Sequence, residues 1–266
     1  QGIYAEAAPL FERCQAIQER VLGPEHAIVT STLNNRASLL ETQGKCDEAD
    51  PLYIRAIAIT EKALGPDHPD VAVLLGNRAR LLRDQGIYAE AAPLFERCQA
   101  IQERVLGPEH AIVASTLNNR AGVLKIQGIY EEAERFCARA VAIGEKALGP
   151  FHPSVATWLS NGAGLSEIQG KYSNAESLYE RCQAIQEKVL GPEHPSVAAT
   201  LNSRADLLRA QEKYIEAVPR LERALSIRMK SLGENHPVTV NTRNNLEFCT
   251  RQGNLQFAPD KVRVQR

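Results

Sequence analysis

The chain has 266 residues, and 31 Lys+Arg against 32 Asp+Glu leave a formal net charge of −1. No overall field therefore directs it to nucleic acid or to an anionic membrane surface. With 44% apolar and 24% charged residues, and no apolar run of about 18 residues, it is expected to fold in water and neither to span a membrane nor to behave as a disordered tail.

Internal punctuation decides the architecture. Gly-Pro recurs at Gly23-Pro24, Gly65-Pro66, Gly107-Pro108, Gly149-Pro150 and Gly191-Pro192, with Gly233-Glu234 as a worn sixth copy, each 42 residues from the last. Six periods occupy 1–252 and leave 253–266 as a tail. Gln-Gly at 43–44, 85–86, 127–128 and 169–170 halves the periods. In chain order the first segment, 4–22, carries Ala7, Leu10, Phe11, Cys14, Ile17 and Leu22 at helical spacing. It is a second helix of a pair, helix B, without its partner, so the sequence reads as a piece cut from a longer protein. Five pairs follow at 26–64, 68–106, 110–148, 152–190 and 194–232, and a final first helix, helix A, at 236–252. In helix A, Val29, Leu33, Ala37 and Leu40 form a narrow apolar stripe that Val71, Leu75, Ala79 and Leu82 repeat. No segment has the period-2 alternation of a strand, so the fold class is all-α. One hairpin of this length cannot bury its own stripes; neighbours must stack into one continuous array, an α-solenoid of antiparallel helix pairs.

The segment G-P-E-H-P-x-V-A-x-T-L-N-x-R-A-x-L-L-x-x-Q at 191–211, with K-Y-x-E-A at 213–217 and R-A-L at 223–225, resembles the 42-residue tetratricopeptide (TPR) repeats of kinesin light chains. The likeness recurs in every period. It implies a right-handed superhelix whose concave face, lined by A helices, binds peptide segments of partner proteins. Similar repeats occur on kinesin adaptors and on receptor-like ATPases of the NB-ARC type, so the likeness implies a binding mode and leaves the pathway open.

Aligning the A helices with one another separates fixed columns from changing ones. Leu33, Leu75, Leu117, Leu159 and Leu201 agree, as do Ala37, Ala79, Ala121, Ala163 and Ala205. One column instead runs Ser38, Arg80, Gly122, Gly164, Asp206, another Glu41, Arg83, Lys125, Glu167, Arg209, and a third Thr42, Asp84, Ile126, Ile168, Ala210. Positions 31, 35, 38 and 42 lie about 140–200° round the helix from Leu33 at 100° per residue. The changing residues thus share a face, which either binds or is merely solvated. Residues 1–37 and 85–121 agree everywhere except Thr30/Ala114, and difference begins where that stripe is most divergent. The same face carries Asn35, Asn77, Asn119 and Asn161, then Ser203, with Asn244 expected to continue the column. An amide offers both donor and acceptor, so these can grip a peptide group whatever its side chain, or bond to the next repeat. Each lies nine residues before the Gly, or its counterpart Glu212, that ends helix A, where peptide-gripping Asn residues stand in kinesin light chains and in carboxylate-clamp TPR co-chaperones. Arg36, Arg78, Arg120 and Arg204, where the kinesin light chain pattern favours Leu, border the core and are expected to pair with helix-B carboxylates. Gly122, Gly162 and Gly164 are expected to clear a small apolar pocket beside Ile126 and Ile168, flanked by Lys125, Arg80 and Arg83. The facing of Trp158, the single tryptophan, is left open.

Other residues point away from chemistry. The six histidines, His26, His68, His110, His152, His194 and His236, occupy one column at the start of helix A, ~10 Å apart in stacked pairs, too far to share a metal ion. A helix-start role is expected. Cys14, Cys98 and Cys182 alternate with Ala in a core column, and Cys46 and Cys137 replace aromatics in others. With neither C-x-x-C nor a Cys/His cluster, disulfides and zinc are not indicated, and a cytoplasmic, reducing compartment fits. Pro9, Pro51, Pro93 and Pro219 come early in helix B and imply mild bends only. The expectation is a non-enzymatic module without cofactor that binds an extended peptide or protein segment. The alternative is a structural scaffold that self-associates end to end through its terminal helices. Arg80, Arg83, Lys125 and Arg209 against Glu41, Asp84, Glu167 and Asp206 argue against a uniformly charged partner.

Overall fold

The computed structural model describes residues 2–256, with side chains for 7–255. Twelve α-helices and no strand occur among the described residues. They are α1 (Gly2–Leu22), α2 (Ala27–Thr42), α3 (Cys46–Leu64), α4 (Pro69–Asp84), α5 (Tyr88–Leu106), α6 (Ala111–Ile126), α7 (Tyr130–Leu148), α8 (Pro153–Ile168), α9 (Tyr172–Leu190), α10 (Pro195–Ala210), α11 (Tyr214–Leu232) and α12 (Pro237–Gln256). Even-numbered helices are the A helices and odd-numbered ones the B helices. Two compact units divide the chain at residues 139/140, within α7.

Turn chemistry explains the punctuation. Gly65 sits at φ 92°, ψ 157°, a region open to glycine alone, because the following Pro forces an extended ψ while the chain must leave the helix on the positive-φ side. His68 then opens α4: its Nδ1 accepts the Asp70 amide hydrogen at 3.2 Å, doing what Asp or Ser does at other helix starts. All six histidines of the column make this bond, down to His236 with Val238 at 3.3 Å. At the other end of α4 the Ile87 amide donates to the Leu82 carbonyl at 2.8 Å and Gly86 to Arg83 at 3.0 Å, closing the helix through a residue of positive φ. In α10 that residue is Glu212, at φ 59° the single described non-glycine with positive φ.

Core packing follows the fixed columns. In the first unit Val29 and Leu33 of α2, Ala56 and Ile59 of α3, Val71 and Leu75 of α4, and Cys98 and Ile101 of α5 share one buried cluster. There α2 packs against its own second helix, α3, and against the next pair, α4 and α5, as stacking demands. In the second unit Ala163, Tyr179 and Leu207 form one such cluster and Ala205, Leu208, Leu221 and Cys249 another. Each fully buried Leu or Ile contributes roughly 1.5–3 kcal/mol. The Leu22 column departs from the expected core: Leu64 and Leu106 are half exposed, because they end helix B beside the open Gly-Pro turn. Between consecutive B helices an arginine ties the array. Arg97 pairs with Glu61 at 2.6 Å and donates to the Pro66 carbonyl at 2.7 Å, and Arg55, Arg139 and Arg223 repeat this with Glu19, Glu103 and Glu187.

Candidate binding face on the first helices

Within the first unit the changing columns are presented where α2, α4 and α6 lie side by side. In the first unit the Asn77 amide Nδ2 donates to Asn34 Oδ1 at 2.9 Å, linking α4 to α2. Arg80 Nε lies 3.6 Å from Glu41 Oε1 across the same seam. Arg83 Nη1 donates to Asn119 Oδ1 at 3.0 Å, linking α4 to α6, and also pairs with Asp84 at 2.8 Å. Of the residues singled out, Asn35 is exposed, while Ser38, Asn77, Arg80, Arg83, Asn119, Gly122 and Lys125 are half-buried. A groove of about 240 Å³ opens between α2 and α4, lined by Thr30, Ser31, Asn34, Asp70, Val73 and Leu74. A Cβ on Gly122 would meet no neighbour within 4 Å.

In the second unit Asn161 and Ile168 are exposed, and Gly164, Glu167, Asp206 and Arg209 half-buried. Glu167 accepts the Tyr179 hydroxyl at 3.3 Å, and this neighbouring charge, after burial, helps push the phenol up to about 12. Asp206 accepts from Asn202 Nδ2 and from Arg209 Nη1, each at 2.7 Å, yet burial raises its pKa. Ile126 and Ile168, expected to line one pocket, belong to different units and are each exposed in their own.

The structure resolves several open points. The Arg column is structural: Arg78 grips Asp50 at 2.7 Å, Arg120 grips Glu96 at 2.8 Å, and Arg204 spends Nε, Nη1 and Nη2 on Glu176, Gln183 and Glu180. Trp158 is buried at 3% exposure, so it faces the core and not the changing stripe. It occupies a column otherwise filled by Thr32, Leu74, Thr116, Thr200 and Thr242. Opposite stand Gln18, Gln102 and Gln186, which accept the hydroxyls of Thr32, Thr116 and Thr200 at 2.7–2.8 Å, and Gly144, which leaves room for the indole. The asparagine column ends on Asn245 rather than Asn244. A strict 42-residue step from Ser203 reaches 245, and Asn245 lines a groove with Asn202 and Asp206 whereas Asn244 is exposed elsewhere on α12.

Two groups of features have no chemical arrangement. Among the described residues no three His, Cys, Asp or Glu are placed to hold a metal ion. The described cysteines are unpaired thiols, and burial pushes Cys98 and Cys137 up to about 11. No described helix is long and apolar enough to cross a membrane.

Comparison with known proteins agrees with this architecture. Tetratricopeptide repeat profiles match residues 1–49, 29–104, 70–128, 162–230 and 196–258, and a second such profile matches 113–154. No curated protein matches the sequence significantly. Among solved structures, one from Podosopora anserina, described as a kinesin light chain with nearly identical TPR-like repeats, is 29% identical with a TM-score of 0.68, covering 78% of this chain and 98% of that one. BtubC (BKLC) from P. vanneervenii shares the fold at 22% identity and TM-score 0.74, over 88% of this chain and 92% of that one. YrrB, a TPR protein with an unusual peptide-binding site, shares it at 18% identity and TM-score 0.53, over 88% and 97%. Such repeats are protein-interaction modules and generally not enzymes. On these matches, and on the stacked helix pairs of the described residues, the chain belongs to the tetratricopeptide repeat family.

Proposed function

We propose that the protein is a non-enzymatic binding module that holds an extended peptide or protein segment along the A-helix stripe. The observation that carries this reading is the coincidence of two patterns. Residues that change from repeat to repeat, Ser38, Arg80 and Gly122 or Glu41, Arg83 and Lys125, fall on the face where neighbouring A helices meet through polar bonds. There Asn35 remains open and Asn119, beyond accepting from Arg83, still has amide hydrogens to donate. Constant amides hold a main chain, and changing neighbours choose its side chains. Arg80 and Arg83 are partly spent on Glu41, Asp84 and Asn119, so a ligand must compete with those contacts or extend them. Surface grooves and paired charges of mixed sign favour a short mixed-charge segment over a uniformly charged one.

The test is selection from a random peptide display library on the whole chain, followed by binding of the selected peptides to Asn35→Ala, Asn119→Ala and Lys125→Glu variants. Loss of about tenfold or more in at least one variant supports the reading. Retention in all three, with a control on the B helices losing affinity instead, overturns it.

Self-association through the terminal helices is a second reading, favoured by the exposed Leu10 and Val21 of α1 and Leu255 of α12 at 61–68%. Sedimentation over a wide concentration range tests it: Leu10→Glu should dissolve any oligomer, and a monomer at every concentration removes the idea.

A further inference from the structure

The second unit contains a guanidinium that its surroundings do not saturate. Arg228, on α11, stands where other B helices carry Gln18, Thr60, Gln102, Gly144 and Gln186. It is 9% exposed, and its head passes between α10 and α12 into the wall of a groove of about 340 Å³ lined also by Asn202, Asp206, Val238, Asn241 and Asn245. Both of its hydrogen bonds leave from Nη1, to Asn202 Oδ1 at 3.3 Å and to the Thr242 hydroxyl. Among the described residues no acceptor meets Nε–H or Nη2. Asp206, the carboxylate whose charge acts on it, commits its two oxygens to Asn202 and Arg209. Arg204 in the same unit is the contrast, with all three nitrogens paired to acceptors.

The Nε/Nη2 edge of a guanidinium is a two-pronged donor that matches a carboxylate side-on, and a charge-assisted pair of this kind is about twice as strong as neutral hydrogen bonds. Burial already disfavours the charge and lowers the Arg228 pKa. An arriving anion would compensate that cost. The other polar liners, Asn202, Asn241 and Asn245, are neutral amides able to bond the peptide groups on either side of a bound carboxylate. We propose that the α10–α12 groove is a carboxylate subsite in which Arg228, reaching through from the second helix, grips an acidic side chain or a chain-terminal carboxylate. The proposal rests on the A-helix reading above and names the chemistry of one end of that face.

The experiment uses the full chain and three small probes: acetyl-Gly-Glu-Gly-amide, acetyl-Gly-Gly-Gly with a free carboxylate, and acetyl-Gly-Gln-Gly-amide as the neutral control. Arginine Nε–H signals are followed by NMR, that of Arg228 being assigned by its absence in Arg228→Gln. This variant should fold, because glutamine takes the hydroxyl bond at Gln102 and Gln186. The Arg228 signal should shift saturably with one or both carboxylate probes, the tighter one identifying the source, and not with the glutamine control. Affinity read at backbone amides of α10 and α12 should fall about tenfold or more in Arg228→Gln. Asp206→Asn, which removes a like charge from the groove, should tighten binding by about threefold or more. Equal response to the glutamine control, no saturable shift up to about 20 mM, or unchanged affinity in Arg228→Gln would overturn the subsite. If library-selected peptides still bind through Asn35 or Asn119 in that case, the subsite alone is wrong; if they too are absent, the A-helix reading fails with it.

Discussion

Gly144→Ala is a sharp test of how these repeats fit together. Substituting alanine for glycine inside a helix ordinarily stabilises it by ~1 kcal/mol. Here the added Cβ would stand 2.2 Å from Trp158 Cζ3, 2.9 Å from Cε3 and 3.1 Å from Val155 Cγ2, where carbon atoms prefer about 3.5–4.0 Å. The ring must retreat by more than an ångström within a packed layer, and overpacking of this kind costs roughly 1–3 kcal/mol or more. The clash outweighs the propensity gain, so a net loss of about 1–2 kcal/mol is expected. Urea denaturation followed by far-UV circular dichroism measures it, with Trp158 fluorescence reporting the displaced ring. Trp158→Leu alone should also destabilise, by about 2 kcal/mol, through the cavity it leaves. The double variant should recover much of the combined loss, because Leu74 already fits opposite Thr60. A Gly144→Ala protein as stable as the parent, or a double variant whose losses simply add, would refute the size-matching argument.

Other consequences are open to direct measurement. Glu212 adopts φ 59° where the corresponding repeats place glycine, so Glu212→Gly should raise stability by about 1 kcal/mol, read as a higher urea midpoint; a lower midpoint contradicts it. His110 Nδ1 accepts the Ile112 amide, and His110→Ala should cost ~1 kcal/mol while His110→Asp retains most of it, measured by the same denaturation. Thiol labelling of the native protein at pH 8 should modify Cys14 while sparing Cys98 and Cys137, whose burial holds them protonated up to about 11. Their folded pKa lies above the unfolded value of about 8.5, so the unfolded chain loses protons first and stability declines as pH rises past about 8.5. Labelling of all described thiols at one rate would contradict the buried assignment.

The repeat, the helix type and the helix starts were legible because each rests on local chemistry repeated many times. Gly-Pro, Gln-Gly and the histidine column mark backbone turns that other residues adopt poorly. The fixed Leu and Ala columns found the core, and the expected pairing of the Arg column with helix-B carboxylates is what Arg78 and Arg120 do. Whether the changing stripe binds a ligand could not be decided by the same means, since periodicity separates faces but not a solvated face from a recognising one. Contacts made by long side chains were also hidden. Nothing in a column alignment says that Arg83 reaches Asn119 in the next repeat, or that Trp158 turns inward, which depends on a single glycine fourteen residues before it. Gln252-Gly253 imitates the Gln-Gly mark one residue early, which is why counting back from it points to Asn244 in place of Asn245. Gly253 stays helical and buried because Ile215 covers it; a Cβ there would lie 2.8 Å from Ile215 Cγ1. Arg228 leaves no mark in the A-helix columns, because it belongs to helix B and occurs once in its own column.

Site-specific photocross-linking tests the binding face most directly. A benzophenone side chain is placed at Ser38 or Ile126 on the A helices, and at Ala100 or Ala184, exposed positions of α5 and α9, and each variant is irradiated with a library-selected peptide. The peptide should attach at Ser38 or Ile126 and not at Ala100 or Ala184. Attachment confined to the second helices would contradict the assignment of recognition to the first.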